Sequence, residues 1–450
     1  MKLIYEAFCF VCLRMYIIAF INHFDYLQNS GLSQPATTIP YQTLIIKEPL
    51  KVPKRKDNNA YGNRNGHFAS LLLLRGCGNV VCMKTVILTD AKYRSAISAA
   101  RTFSRGGMRV VAVQARGDAS VAPPVFSSNC VSETVWLDGS TEDDGYAARL
   151  AELLRRFDRP VLFPVGAATL DAVSRDIGGF SGLCDFLISP GETLDAVNDK
   201  ARVHRRAAEL GLPVPREYDG APDAYPVIIK PRCGEKLGLR AEDRYTVARS
   251  SEEYRAALEK MRRYDPSPVV QELIGGAGGG VSVLIDREGR LIDAFCHRRV
   301  REYPITGGPS ACCESVYVPE KIDAAYALLR SFGFVGLAMV EFKGDSILEV
   351  NPRVWGSFPL TTLARSPIAL RLAEAASGAR VEYVPCDYDV GVRMRFTLND
   401  TLATLSLLAH GRLREGFVGC ADAFRAQEAL CDRDDPAPMR AYLKATVLKR

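Results

Sequence analysis

Residues 336–353 carry the most informative pattern of the chain and read Gly-Leu-Ala-Met-Val-Glu-Phe-Lys-Gly-Asp-Ser-Ile-Leu-Glu-Val-Asn-Pro-Arg. Two apolar stretches flank a Gly-Asp pair, which predicts a β-hairpin. Successive side chains of a strand point to opposite faces, so a three-residue loop at 343–345 would gather the apolar residues, including Leu348, on one face. Glu341, Glu349 and Asn351 would then share the other face.

This polar face has a specific chemistry. Two carboxylates and an amide oxygen on a rigid hairpin are hard ligands, which Mg²⁺ or Mn²⁺ prefers together with nucleotide phosphates. Arg353 follows Asn351 by two residues and could reach a transferring phosphate. The alternative is an amphipathic surface hairpin whose charged face meets water.

Two upstream lysines extend the pattern. Lys200 begins a basic helix predicted for residues 199–210, and Lys230 ends an apolar strand predicted for residues 226–230. A lysine at the end of a strand, before the glycine-containing loop at 233–238, can donate to phosphate oxygens. The alternative is that both lysines are solvated surface residues.

A strand predicted at 269–273 runs into a glycine-rich stretch at 275–280. The backbone of Gln271, Glu272, Leu273 and Ile274 could present donors and acceptors to adenine, with Glu272 accepting from the amino group. The glycines alone could equally be a flexible connection.

Cations and glycines also combine at residues 296–310. Arg299 and Arg301 would share one face of a strand, with Arg298 on the other. Arginines beside a loop rich in backbone donors suit phosphate or a substrate carboxylate. The alternative is a basic surface patch.

The segment from Met83 onward has the rhythm of a parallel sheet covered by helices. Apolar strands are predicted at 86–88, 109–113, 161–164 and 186–189, with amphipathic helices between them. No G-x-G-x-x-G follows the first strand, so a dinucleotide site is not expected. After residue 199 strands and helices cease to alternate, which indicates an α+β domain, and beyond residue 397 the pattern is mainly helical.

Composition is that of an ordinary globular protein of about three domains, with 450 residues, 47% hydrophobic and 24% charged. Thirteen scattered cysteines favour reduced thiols and a cytoplasmic protein. Of the net charge of +6, residues 1–82 carry nine basic and four acidic side chains, which leaves 49 basic and 48 acidic ones elsewhere. Such a neutral remainder gives no reason to expect a nucleic-acid partner.

Residues 1–82 differ from the rest. An apolar run at 3–21 is interrupted by Glu6 and Arg14, which disfavours a membrane helix. Residues 29–66 have the composition of a linker or disordered segment. Either residues 1–82 are a genuine N-terminal extension, or they reflect a mis-assigned start and the protein begins near Met83.

In this order and spacing, the motifs resemble the ATP-grasp superfamily of ATP-dependent carboxylate-amine ligases over residues 83 to about 400. The region from Arg299 to Gly308 is similar to the branch that contains the large chain of carbamoyl-phosphate synthase. The motifs that carry the resemblance are Asp199-Lys200, Lys230-Pro231-Arg232, Gln271-Glu272-Leu273-Ile274, Glu341 and Glu349-Val350-Asn351-Pro352-Arg353.

The resemblance implies an α/β and α+β fold. A Rossmann-like pre-ATP-grasp domain would span residues 83–195, a two-subdomain ATP-grasp domain residues 196–400, and a helical segment residues 401–450. ATP would lie between the two subdomains under a mobile glycine loop.

The resemblance also implies roles for individual residues. Lys200 and Lys230 would bind phosphates, and Gln271 to Ile274 the adenine. The metal ligands would be Glu341, Glu349 and Asn351, and the catalytic residues Arg353, Lys230 and Arg299. Some relatives hold the ribose with a carboxylate where this chain has Gly279, so that contact is not expected at this position.

The implied reaction joins a small-molecule carboxylate to an amine through an acylphosphate and releases ADP and phosphate, with ATP and Mg²⁺ or Mn²⁺ as cofactors. Two alternatives stay open: an ATP-binding module without ligase activity, and an enzyme that activates bicarbonate or another very small acid. A membrane partner is not expected, and the sequence does not decide between a monomer and a homodimer.

Overall fold

The computed structural model describes residues 83–233, 239, 243–305 and 307–448. The expectations for residues 1–82, for loop residues 234–238 and for Thr306 lie outside the described residues. The strands of the described part are β1 Thr85–Thr89, β2 Arg109–Ala115, β3 Glu133–Leu137, β4 Val161–Pro164, β5 Val227–Lys230, β6 Thr246–Ala248, β7 Val269–Glu272, β8 Gly278–Ile285, β9 Leu291–Glu302, β10 Ser310–Val316, β11 Gly336–Lys343, β12 Ser346–Asn351, β13 Arg393–Arg395 and β14 Gln427–Glu428.

The helices fill the connections between these strands and the C-terminal part. Within the described residues, no helix has the length and apolar character needed to cross a membrane. The α-helices are α1 Arg94–Arg105, α2 Tyr146–Leu154, α3 Ala167–Arg175, α4 Ile177–Ser181, α5 Gly191–Asn198, α6 Lys200–Glu209, α7 Ser251–Arg262, α8 Pro319–Ser331, α9 Pro359–Leu363, α10 Ile368–Ala376, α11 Thr397–Ala409, α12 Leu413–Asp422 and α13 Ala437–Leu448.

A four-stranded parallel sheet, here called the N-terminal sheet, has the order β3-β2-β1-β4. Strands β1, β2 and β4 are apolar and buried because helices cover them, as in the contact of Phe103 on α1 with Phe163 on β4 at a ring distance of 5.0 Å. The prediction of a strand at 186–189 is wrong. These residues are buried but form no strand, and Ile188 makes only an isolated β-bridge with Gly336. The fourth strand is β3, whose mixed, half-exposed sequence lacks the apolar run of a central strand.

A seven-stranded sheet, here called the large sheet, has the order β12-β11-β8-β9-β10-β13-β14. One of its faces, the core face, packs Val283 and Val340 against α5, α6 and α8 through Leu194, Val203 and Leu328. The opposite face carries Glu341 and is called the site face below.

A three-stranded antiparallel sheet, here called the small sheet, has the order β6-β5-β7 and packs Ile229 against Tyr254 and Met261 of α7. The parallel N-terminal sheet, together with the mainly antiparallel large and small sheets, confirms the predicted α/β and α+β class. Beyond residue 397 the chain is mainly helical, except that β14 joins the edge of the large sheet beside β13.

The hairpin of β11 and β12 differs from the expected one in its loop. Lys343 pairs with Ser346, so the loop has two residues, and Gly344 occupies its first position with a φ of +53° that glycine adopts without strain. The expected three-residue loop is therefore wrong.

A β-bulge at Leu348 compensates for the shorter loop. Phe342 pairs with Ile347, but Glu341 pairs with Glu349, so Leu348 is the extra residue of β12. Leu348 is half-buried and is absent from the apolar core, contrary to expectation, whereas Ile347 is fully buried. The bulge sets the two carboxylates directly opposite each other.

Candidate active site

The two carboxylates of the hairpin each contact a cation from another element. Glu349 Oε2 lies 3.0 Å from Lys200 Nζ of α6. Glu341 Oε2 lies 2.7 Å from Arg299 Nη2 of β9. The site face thus carries two facing carboxylates, and the flanking cations balance their charge.

The surroundings of the two carboxylates shift their pKa values in opposite directions. Burial alone would raise the pKa of Glu349, but Lys200 and Lys230 outweigh burial and hold it at about 2. Burial raises the pKa of Glu341; Arg299 opposes this effect and Glu349 adds to it. Glu349 is therefore the more firmly ionised of the two carboxylates.

Lys200 owes its position to the start of α6. The side chain of Asp199 accepts from the backbone N–H of Ala201 at 2.9 Å and of Arg202 at 3.2 Å, which is the usual way an Asp caps a helix. The cap fixes the first turn, and Lys200 in that turn reaches the edge strand β12.

Lys230 ends β5 beside the same charges. Burial lowers the pKa of Lys230 to about 8; the carboxylates of Glu349, Glu341 and Glu217 oppose this shift, and Lys200 adds to it. These interactions place Lys230 in the same electrostatic site as Lys200 and Glu349.

The candidate adenine segment is only partly available. Glu272 accepts from the backbone N–H of Arg216 at 2.9 Å with its carboxylate, so the carboxylate expected to meet an adenine amino group is already engaged. The N–H of Leu273 donates to Pro226 O at 3.1 Å. In the described part of the chain, the N–H of Ile274 has no backbone hydrogen-bond partner, unlike that of Leu273.

The remaining predicted residues follow Glu349 along the chain. Asn351 is half-buried, pairs with Met339 and shares the site face with Glu349. Arg353 lies just beyond β12, where its Nη1 donates to Val354 O at 2.9 Å. The structure thus brings together Lys200, Lys230, Arg299, Glu341 and Glu349, with Asn351 next along the strand.

Only the first half of the glycine stretch lies in a loop: residues 275–277 lie in the connection from β7 to β8, and the later glycines belong to a strand. Residues 278–280 open β8, and Gly280 pairs with Glu341 on one side and His297 on the other. A Cβ on Gly280 would lie 2.5 Å from His297 Cε1 and 2.6 Å from Met339 Sδ. A larger residue here would have to displace these two side chains, which pack over the strand.

Ser282 and His297 also lie on the site face, although no role was assigned to them from the sequence. Ser282 Oγ, His297 Nδ1 and Arg299 Nε are buried and have no hydrogen-bond partner among the described residues. Burial and the nearby Arg299 lower the pKa of His297 to about 3, so its ring is neutral. Buried polar groups are normally paired, so these atoms indicate a polar ligand or ordered water at this face. Because His297 and Arg299 are two residues apart on one strand, the sequence could have indicated that both side chains lie on the same face.

The donor set fits a divalent cation that is shared with phosphates. Within the described ranges, no cluster of three or more His, Cys, Asp and Glu could hold a metal ion by itself. Glu341, Glu349 and Asn351 instead offer hard oxygen ligands on one face, and Mg²⁺ usually takes its other ligands from nucleotide phosphates and water.

Substitution of Gly279 tests whether a ribose contact can be built at this position. A Cβ on Gly279 would lie 2.7 Å from the backbone oxygen of His297, so β8 and β9 would have to shift. We expect Gly279→Glu to lower the free energy of unfolding by about 1–3 kcal/mol without tightening ATP binding. Denaturant unfolding and calorimetry measure both, with Gly182→Ala as a control because a Cβ there meets no atom within 4 Å. Tighter ATP binding by the Glu variant would contradict this expectation.

These features agree with a comparison of the sequence with protein families. Residues 197–357 match the family model described as an ATP-grasp domain, so this part of the chain is an ATP-grasp domain. No curated protein matches the chain in sequence.

Several solved structures have a fold similar to that of this chain. The biotin carboxylase domain of Hydrogenobacter thermophilus 2-oxoglutarate carboxylase, in complex with MgADP, ADP and bicarbonate, aligns with 69% of this chain and 73% of its own at 15% identity and a TM-score of 0.53. Campylobacter jejuni biotin carboxylase in a β-γ-ATP complex aligns with 69% of this chain and 74% of its own at 15% identity and a TM-score of 0.52. Rhizobium etli pyruvate carboxylase aligns with 69% of this chain but 30% of its own, at 16% identity and a TM-score of 0.53. At these identities the likeness concerns the fold.

Proposed function

We propose that the protein is an ATP-dependent ligase that joins a carboxylate to an amine and forms a C–N bond. The observation that carries this proposal is the facing pair Glu341 and Glu349, surrounded by Lys200, Lys230 and Arg299, within an ATP-grasp domain. Facing carboxylates with flanking cations suit a metal-nucleotide complex, because each cation can exchange a carboxylate for a phosphate oxygen.

In the first step an oxygen of the substrate carboxylate attacks the γ-phosphorus of ATP, and the bond to the ADP oxygen breaks. The products of this step are an acylphosphate and ADP. Lys200 and Lys230 donate to the phosphate oxygens as negative charge moves toward ADP, and Arg353 follows the ligand strand at the place suited to the transferring group. A bound Mg²⁺ on Glu341, Glu349 and Asn351 would neutralise phosphate charge.

In the second step the amine nitrogen attacks the acyl carbon, the bond to phosphate breaks, and the nitrogen loses a proton. Arg299 is positioned to attract the acid, and the unpartnered atoms of Ser282 and His297 on the same face suit its oxygen atoms. The glycines at the start of β8 have no side chains, so they leave space above the sheet beside these groups.

A screen of amino acids and small carboxylates, offered in pairs with ATP and Mg²⁺, tests the proposal. We expect a productive pair to release ADP and phosphate in equal amounts, and hydroxylamine in place of the amine to give an acyl hydroxamate. The Glu349→Ala variant, purified in parallel, controls for contaminating ATPases.

Three results would contradict the proposal. AMP and pyrophosphate as products would exclude phosphorylation of the acid. Turnover with bicarbonate alone, without any amine, would identify an enzyme that activates a very small acid. Tight ATP binding without turnover across the whole panel would favour a nucleotide-binding module.

A further inference from the structure

His204 is a buried residue on α6 that contacts three elements of the candidate site. It lies one helical turn after Lys200 and is 2% exposed. Its Nε2 lies 2.8 Å from Leu348 O, and its Nδ1 lies 2.5 Å from Glu217 Oε1. Buried histidines with both ring nitrogens engaged hold their surroundings in a defined geometry.

The contact with Leu348 concerns the bulge of the hairpin. β12 is an edge strand of the large sheet, and its bulged residue stands outside the regular pairing. A carbonyl can only accept, so His204 Nε2 carries a hydrogen and donates it to Leu348 O. This bond satisfies the carbonyl directly before Glu349, and the bulge is what sets Glu349 opposite Glu341.

The contact on the other side of the ring concerns the candidate adenine segment. Gln271 is fully buried, and its Nε2 lies 2.6 Å from His204 Nδ1 and donates to Glu217 Oε1 at 2.9 Å. The backbones of Glu217 and Gln271 also form an antiparallel bridge. One imidazole therefore ties the small sheet, next to Ile274, to the strand that carries Glu349.

We propose that His204 is a positioning residue that couples the metal-ligand pair Glu341 and Glu349 to the nucleotide segment at residues 271–274. This inference rests on the proposed function, because it presumes that Mg²⁺ and ATP bind at these residues. Loss of the ring frees the bulge, so Glu349 no longer holds its place opposite Glu341. The coupling between metal and nucleotide then weakens, whereas the phosphate-binding lysines stay.

The test measures the affinity for a non-hydrolysable ATP analogue by calorimetry, with and without Mg²⁺, together with the melting temperature. In His204→Leu we expect the gain in affinity from Mg²⁺ to fall by about tenfold or more, and the metal-free affinity to change by less than about threefold. His204→Gln, which keeps a donor able to reach Leu348 O, retains most of the gain. His204→Asn, whose amide is one methylene shorter, loses it; this pair gives the answer if the Leu variant does not fold.

A matched control separates positioning from general stability. Tyr388 Oη donates to Val316 O and accepts from Cys296 N in the same sheet, away from β12. Tyr388→Phe should lower the melting temperature but keep the full effect of Mg²⁺. An unchanged Mg²⁺ effect in His204→Leu or in His204→Asn, or an equal loss in Tyr388→Phe, would overturn the positioning role. Failure of the wild-type protein to bind the analogue at all would instead overturn the proposed function.

Discussion

Replacement of Glu349 by alanine should lower ATP turnover by at least about 100-fold. Loss of a residue that only orients a metal ligand typically costs 10- to 100-fold, so loss of a ligand should cost more. Glu349 is the carboxylate that two lysines keep ionised down to a pKa of about 2, and it faces Glu341 across the hairpin. The initial rate of ADP release at saturating Mg²⁺ measures the effect.

The same variant separates loss of the metal from loss of the nucleotide. Removal of Glu349 releases Lys200 from its 3.0 Å ion pair, so metal-free ATP should bind at least as well as it does to the wild type. Glu320→Ala is the control, because this exposed glutamate opens α8 on the core-face side of the large sheet. A Glu349→Ala enzyme that keeps its activity with Mg²⁺ would exclude Glu349 as a ligand.

The hairpin shows how far the sequence alone determines the site. The expectation that Glu341 and Glu349 share a face agrees with the structure, but it was derived from strand alternation and a three-residue loop that the hairpin does not have. The shorter loop would have reversed this relation without the bulge at Leu348. A bulge depends on contacts such as that of His204, which lies far away in the sequence, so local pattern could not predict it.

The second half of the glycine stretch is a case where composition was misleading. Glycines after a strand usually indicate a flexible loop, but residues 278–280 pair in β8 and make room for His297 and Met339. The parallel sheet and the change to an α+β arrangement were predicted from the order of strands and helices and are confirmed. The ion pairs of Lys200 and Arg299 join residues distant in sequence, so only the fold reveals which carboxylate each contacts.

Lys230 should make nucleotide binding depend on pH in the alkaline range. Burial lowers the pKa of Lys230 to about 8, so in the free protein its charge is present below pH 8 and is lost as the pH rises above it. Phosphates favour the charged form, so above pH 8 binding must be accompanied by proton uptake. We expect the affinity for a non-hydrolysable ATP analogue to fall by up to about tenfold per pH unit above pH 8.

Lys230→Met removes the charge at every pH. Its affinity at pH 7 should fall by about tenfold or more, because a charge-assisted hydrogen bond to phosphate is lost, and the dependence above pH 8 should disappear. Lys260→Met is the matched control, since Lys260 lies on α7 over the same small sheet and pairs with Asp243 at 3.0 Å. If the Lys230→Met variant kept the alkaline loss of affinity, another group would be titrating. The lysine at the end of β5 would then not be the phosphate ligand.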